Sequence, residues 1–148
     1  MYWLRRYRNE NKLSNQNIKF MNFAEALGRV FLSTLFLYES VKKYFYQYET
    51  IEYMESYGVP EFLFYPSLFF ELIVPILLII GFKTRIAATL MFLFTLIVSI
   101  IFHSDFSNNM QIIAFLKNLS ISGGFLIIAS YEAKKFTIDY YLKYKKLK

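Results

Sequence analysis

Apolar residues in this chain gather into four long runs separated by short charged breaks. The runs cover roughly residues 23–41, 62–82, 86–102 and 112–131. Each is close to the ~20 predominantly apolar residues that a helix needs to cross a bilayer, within a range of about 17–25. None alternates with period two, as strands of a membrane barrel do. Only helices and closed barrels satisfy their backbone in lipid, so the runs predict four spanning helices. Arg29 lies within the first run and no small-residue cleavage site follows it, which argues against a removable signal peptide.

The breaks have patterns of their own. The segment KKYFYQYETIEYMESYGVP, residues 42–60, is too charged to span. Ile51, Met54 and Tyr57 recur in it at near-helical spacing beside Glu49, Glu52 and Glu55. That pattern predicts a short amphipathic helix lying at the membrane interface, with tyrosines suited to the aromatic belt. Gly58 and Pro60 should end it. Pro66 fits the first turn of the second span, and Pro75 should kink that span. The expected architecture is all-α: a four-helix transmembrane bundle with an interfacial helix between helices 1 and 2. Residues 1–21 read as a basic cytoplasmic N-terminal tail, 22–131 as the four-span membrane domain, and 132–148 as a basic cytoplasmic C-terminal tail.

Composition agrees with lipid as the solvent. The 148 residues are 56% hydrophobic and 21% aromatic, with a mean hydropathy of +0.32. A soluble domain of this size could not bury so much apolar surface. The net charge of +6 is unevenly placed. Arg5, Arg6, Arg8, Lys12 and Lys19 precede the first run, and Lys83 and Arg85 lie between the second and third. Lys134, Lys135, Lys143, Lys145, Lys146 and Lys148 follow the fourth. On four spans these all fall on one side, and the positive-inside rule places both termini in the cytoplasm of a prokaryotic cell, at its plasma (inner) membrane. The excess is thus an orientation signal, and no nucleic-acid partner is expected. With no cysteine and one histidine, thiolate metal sites, disulfides and bis-histidine haem ligation are excluded within the chain, and no metal site is expected.

Charges inside the spans carry the candidate chemistry, because each is costly in lipid and usually faces the bundle interior. Glu25 and Arg29 are four apart and share a helix face. Two readings stay open for Arg29: an interfacial pair with a snorkelling guanidinium, or a buried functional role. Glu39 reads as a wetted residue at the outer end of its span. With the second helix starting near Pro66, Glu71 and Lys117 would both lie ~7–8 Å deep at about 1.5 Å per residue, and could neutralise each other; a start nearer Pro60 would instead make Arg29 the partner of Glu71. Asn118 is the neutral neighbour of Lys117. His103, beside Asp105 at the outer end of the third span, could hold a quinone oxygen or relay protons. Gly28, Gly123 and Gly124 read as helix-packing positions.

In order and spacing these pieces resemble the DoxX family of small four-helix membrane proteins. The resemblance rests on Gly28-Arg29 through Leu35-Phe36 to Lys43, then Met54, Gly58-Val59-Pro60, Glu71-Leu72, Leu77-Leu78 with Gly81, and Lys83-Thr84-Arg85. Phe102-His103, Phe115-Leu116-Lys117-Asn118 and Gly123-Gly124 complete it. One departure is Ser40, after Glu39, where the family usually has glycine. The resemblance implies an association with membrane redox systems. The expected function is therefore an accessory or quinone/lipid-binding subunit of such a system, with a polar intramembrane pocket formed by Arg29, Glu71, His103, Lys117 and Asn118. Alternatives are a small lipid or solute carrier and an autonomous quinone-linked oxidoreductase. No cofactor belongs to the chain itself, and a quinone is the one it would take. Expected partners are the lipid bilayer, a redox partner protein and a second copy of the chain.

Overall fold

The computed structural model describes residues 2–131 and 136–146, with side chains described for 16–131 and 136–145. The tail cations Arg5, Arg6, Arg8, Lys12, Lys134, Lys135, Lys146 and Lys148 lie outside the described side chains. Among the described residues six α-helices follow in order: α1 (Tyr2–Phe45), α2 (Gln47–Ser56), α3 (Phe64–Ile80), α4 (Thr84–Phe102), α5 (Asn109–Ser130) and α6 (Ile138–Lys146). A 3-10 turn, Glu61–Leu63, leads into α3. Four of these stretches are long and apolar enough to cross a membrane: Gln16–Phe45, Glu61–Ile80, Thr84–Phe102 and Asn109–Ser130. The protein is an all-helical, four-span membrane bundle.

The bundle buries many small and polar residues beside a few bulky ones, while most of its large apolar side chains face outward. Along α1 the buried positions Arg29, Ser33, Phe36 and Ser40 recur at spacings of four and three. On α4 the buried stripe is Thr84, Ala87, Ala88, Met91, Thr95 and Ser99, while Leu93, Ile97 and Ile100 face outward. Lipid rewards no burial of leucine over leucine, so close helix approach depends on small side chains and internal hydrogen bonds. Thr95 Oγ1 donates to the Met91 carbonyl at 2.7 Å, and Ser122 Oγ to the Asn118 carbonyl at 2.8 Å. Their hydroxyls are satisfied within their own helices. α1 packs chiefly on α3 and α4 on α5, with α3 against α4 closing the bundle. Phe36, Val74, Leu78, Met91 and Phe125 meet at the centre.

α1 continues past the expected end of its span to Phe45, so Lys42 and Lys43 form its last turn. The interfacial helix is α2, which buries Met54 against Phe64 and Leu68 of α3. Gly58, at φ 74°, turns the chain after it, and Pro60 stands just before the 3-10 turn. Pro66 falls in the first turn of α3 and Pro75 is buried within that helix.

At the opposite end of the bundle, α3 stops at Gly81, whose φ of 71° is left-handed. Phe82 N–H donates to the Leu77 carbonyl at 3.0 Å and Gly81 N–H to that of Leu78 at 3.2 Å, the Schellman arrangement. The C-terminal segment docks here. Asp139 accepts from Lys83 N–H and Thr84 N–H, both at 2.7 Å, and so caps the start of α4 from a distant helix. Asp139 N–H returns a bond to the Gly81 carbonyl at 3.0 Å. Thr137 packs so tightly on Gly81 that an added methyl there would lie 2.6 Å from its Cα.

Candidate functional site

The end of the bundle nearest α2 holds a polar chamber of about 230 Å³ inside the spans. Glu39 and Lys43 of α1, Glu71 of α3, His103 at the end of α4, and Lys117 and Asn118 of α5 enter it. Its walls are Phe36, Phe94, Thr95 and Val98 among others. Two carboxylates, two ammonium groups and one imidazole thus face one small volume. Their formal charges balance, which keeps the cost of holding them in the membrane low.

Glu71 is the most deeply buried of them, with a side chain 5% exposed. Its Oε1 pairs with Lys43 Nζ at 2.6 Å. Its Oε2 is buried and has no hydrogen-bond partner. Lys43, rather than Lys117 or Arg29, is therefore the countercharge of Glu71. Two physical facts decide this. α1 packs on α3 whereas α5 packs on α4, and a helical side chain leans toward its own N-terminus. A lysine in the last turn of α1 therefore points back into the bundle. Lys117 lines the same chamber from α5 but is exposed at its flank. Glu39 is half-buried on the chamber wall, not simply wetted at the span's end.

His103 does not turn to Asp105. Its Nδ1 lies 2.7 Å from Gln111 Oε1. In this contact the ring nitrogen donates, since an amide oxygen can only accept. Asp105 instead accepts from Ser107 N–H at 3.0 Å and from Ser107 Oγ at 2.5 Å. Those bonds hold its carboxyl below the usual range. With Asn108, which caps α5 by accepting from Met110 N–H at 2.9 Å, it builds the turn between α4 and α5.

Beside the polar chamber lies a second, mostly apolar one of about 420 Å³, under α2 and between α3 and α4. Lys43, Phe94, Val98 and His103 line both. Tyr53 of α2 stacks on Phe102 of α4 with ring centroids 5.4 Å apart, and Tyr57 meets Phe102 edge-on at 5.3 Å. Burial, and a hydrogen bond shared with Tyr57, push the Tyr53 hydroxyl up to about 12.

Arg29 is placed elsewhere. It is 1% exposed, at the end of the bundle where α6 docks. Its Nη1 donates to the Leu78 carbonyl at 2.7 Å and its Nη2 to that of Phe136 at 2.8 Å. Its Nε lies 2.9 Å from Glu25 Oε1, so the expected pair forms, but the guanidinium is buried rather than snorkelling. Of the three candidate packing glycines, Gly124 is pressed by Leu32, at 3.0 Å from an added methyl, whereas a methyl on Gly28 or Gly123 would meet nothing within 4 Å. No group of three or more His, Cys, Asp or Glu side chains able to hold a metal is found among the described residues.

The DoxX family model matches residues 24–104, from the second turn before Arg29 to just beyond His103. The chain belongs to the DoxX family. It is also 34% identical over 119 residues to the inner membrane protein YqjF of Escherichia coli K12, covering 80% of this chain and 92% of that protein. No solved structure matches it. The family match includes Glu39, Lys43, Glu71 and His103, while Lys117, Asn118 and the docked C-terminal segment lie beyond it.

Lys43 and Asp139 hold structural roles that no candidate site in the sequence included. Lys43 had a visible signal: it continues the Arg29, Ser33, Phe36, Ser40 stripe by three residues. Asp139 had none, because its partners are more than fifty positions away.

Proposed function

We propose that this DoxX-family protein is an accessory, ligand-binding subunit of a membrane redox system, located in the inner membrane with both termini in the cytoplasm. The orientation follows from the basic residues gathered at the Arg29 end. The single observation that carries the ligand reading is the unpartnered Oε2 of Glu71, buried on a polar chamber that shares walls with an apolar one. A buried oxygen without a partner costs about 1–3 kcal/mol, and more if charged, so a donor brought by a ligand would be well bound.

A quinone-type molecule fits this pair of chambers in kind. In the reduced quinol form one ring O–H would donate to Glu71 Oε2 while ring oxygens accept from Lys43, beside His103, and the apolar substituent would lie against Phe94, Val98 and Ile101. When bound, it supplies the electron-carrying capacity that a chain without cysteine lacks. The protein's part is to desolvate the head, to offer an acceptor at Glu71 Oε2 and donors at Lys43 and Lys117, and to keep water out under α2. A lipid with a small polar head is the second occupant that these chambers suit.

The test is mass spectrometry of small molecules retained by protein purified in mild detergent. Wild type is compared with Glu71→Gln, which keeps the shape, and Val98→Phe, which fills the shared wall. A quinone retained by wild type and lost from both variants supports the reading. A phospholipid lost from both supports the lipid alternative. Nothing retained, or equal retention in all three, makes the chambers structural.

A further inference from the structure

α6 buries its chain direction but not its apolar surface. The segment is fixed at the very boundary of the spans: Asp139 caps α4 at Thr84, and Thr137 is 1% exposed against Gly81. From that anchor the helix presents Ile138, Tyr141, Leu142 and Tyr144 outward, with Tyr141 66% and Leu142 47% exposed. At 100° per residue, Tyr140, Tyr141, Tyr144, Ile138 and Leu142 form one continuous arc. Asp139 and Lys143 lie on the opposite arc. Lys145 stands within the apolar arc, where a long stem can lie along lipid and raise its ammonium to the headgroups.

A nine-residue helix is too short to be stable by itself in water. Its apolar arc needs a cover, and three features identify it. The anchor places α6 beside the ends of α3 and α4, where the bilayer surface must lie. Tyrosine is the residue of that surface. The cations at this end, Lys145 on α6 and Lys83 next to its cap Asp139, have the charge that anionic headgroups attract.

We infer that α6 is a second interfacial helix that lies in an anionic phospholipid surface at the Arg29 end, apolar arc down, and pins the C-terminal segment to the membrane. The two interfacial helices would then bracket the bundle, α2 at one face and α6 at the other. The occupant is lipid, not a protein partner.

The chain has no cysteine, so one introduced cysteine carries a nitroxide without background. The full chain is labelled at Tyr141→Cys or at Lys143→Cys in nanodiscs of zwitterionic lipid or of zwitterionic plus anionic lipid. Accessibility to oxygen and to a water-soluble nickel complex is then read. The expected result is a label at 141 open to oxygen and shielded from nickel, with the reverse at 143. Shielding at 141 should deepen with anionic lipid, and Lys145→Gln should abolish that increment. A label at Ile97→Cys reports that the bundle itself is intact in each sample. Equal nickel access at 141 and 143 would sink the proposal, because α6 would stand in water. Shielding of 141 from both reagents would mean that a protein covers the arc. No response to lipid charge would remove the anionic part of the inference.

Discussion

Glu71 concentrates the chemistry of the site, because one of its oxygens is paired and the other is not. Removing one partner of a buried pair leaves the other charge uncompensated, at a cost of about 3–5 kcal/mol. Lys43→Met should therefore destabilise the bundle by that order, measured as unfolding in mixed micelles. Lys43→Met combined with Glu71→Leu should cost clearly less than the two single changes added together. Additive costs would mean that the 2.6 Å contact contributes little. Lys117→Leu should leave stability nearly unchanged, since the Glu71 countercharge is Lys43. Tyr53 gives a pH test at the same scale. Its hydroxyl is pushed up to about 12, so the neutral form is the one the fold favours. That contribution is complete below the ordinary tyrosine value of about 10 and is lost as pH rises through about 12. In a carbon-13 tyrosine titration Tyr53 should titrate well above the ordinary tyrosine value, and Tyr57→Phe should bring it down. A Tyr53 that titrates near 10 in the wild type would contradict the shared hydrogen bond.

Helix ends in this protein are held by residues from other helices. α4 starts at Lys83, itself at a positive φ of 47°, and its first N–H groups are met by Asp139 of α6. Loss of a capping carboxylate costs about 0.5–2 kcal/mol. Asp139→Ala should lower stability by that order and open the C-terminal segment to proteolysis, read by the cleavage rate after Phe136 or Tyr140. Gly81→Ala should do the same more severely, because it adds a left-handed strain of about 1–2 kcal/mol and drives a methyl into Thr137. A Gly81→Ala protein with an unchanged cleavage rate would show that the docking is not tight. Gly28→Ala, by contrast, meets open space and should be tolerated or slightly stabilising, as alanine is the better helix former.

Across the whole bundle, the two ends do different work. One holds the ionisable chamber beneath α2; the other is clasped by Arg29, Gly81 and Asp139 around the C-terminal segment. Arg29 joins α1 to α3 and to Phe136 through charged hydrogen bonds, each worth about 1.5–3 kcal/mol. A chain truncated after Tyr131 should lose thermal stability by that order or more. It should retain whatever ligand the wild type retains, because the chambers lie at the other end. Loss of ligand together with stability would mean that the two ends are coupled through α1.

Hydrophobic run length settled the fold, since lipid admits few solutions for four apolar runs of about twenty residues. The interfacial helix was legible for the same reason: Met54 and the glutamates around it have a period that only a half-buried helix explains. The chamber was legible in part. Glu71 and Lys117 were marked by their cost in lipid, Asn118 as the neighbour of Lys117 and His103 by its place at the outer end of its span, and they do face one volume. Their partners were not marked, because depth along a span can be counted from sequence but adjacency between spans cannot. Packing of α1 on α3 gave Glu71 to Lys43, and the turn of the α4–α5 loop gave His103 to Gln111 rather than to Asp105. The C-terminal segment carries the same lesson further. Its lysines looked like a free tail, and only the fold brings Asp139 across more than fifty residues to the start of α4. Composition and period are local properties that solvent reads directly, whereas which charges meet is decided by contacts that exist only after the helices have packed.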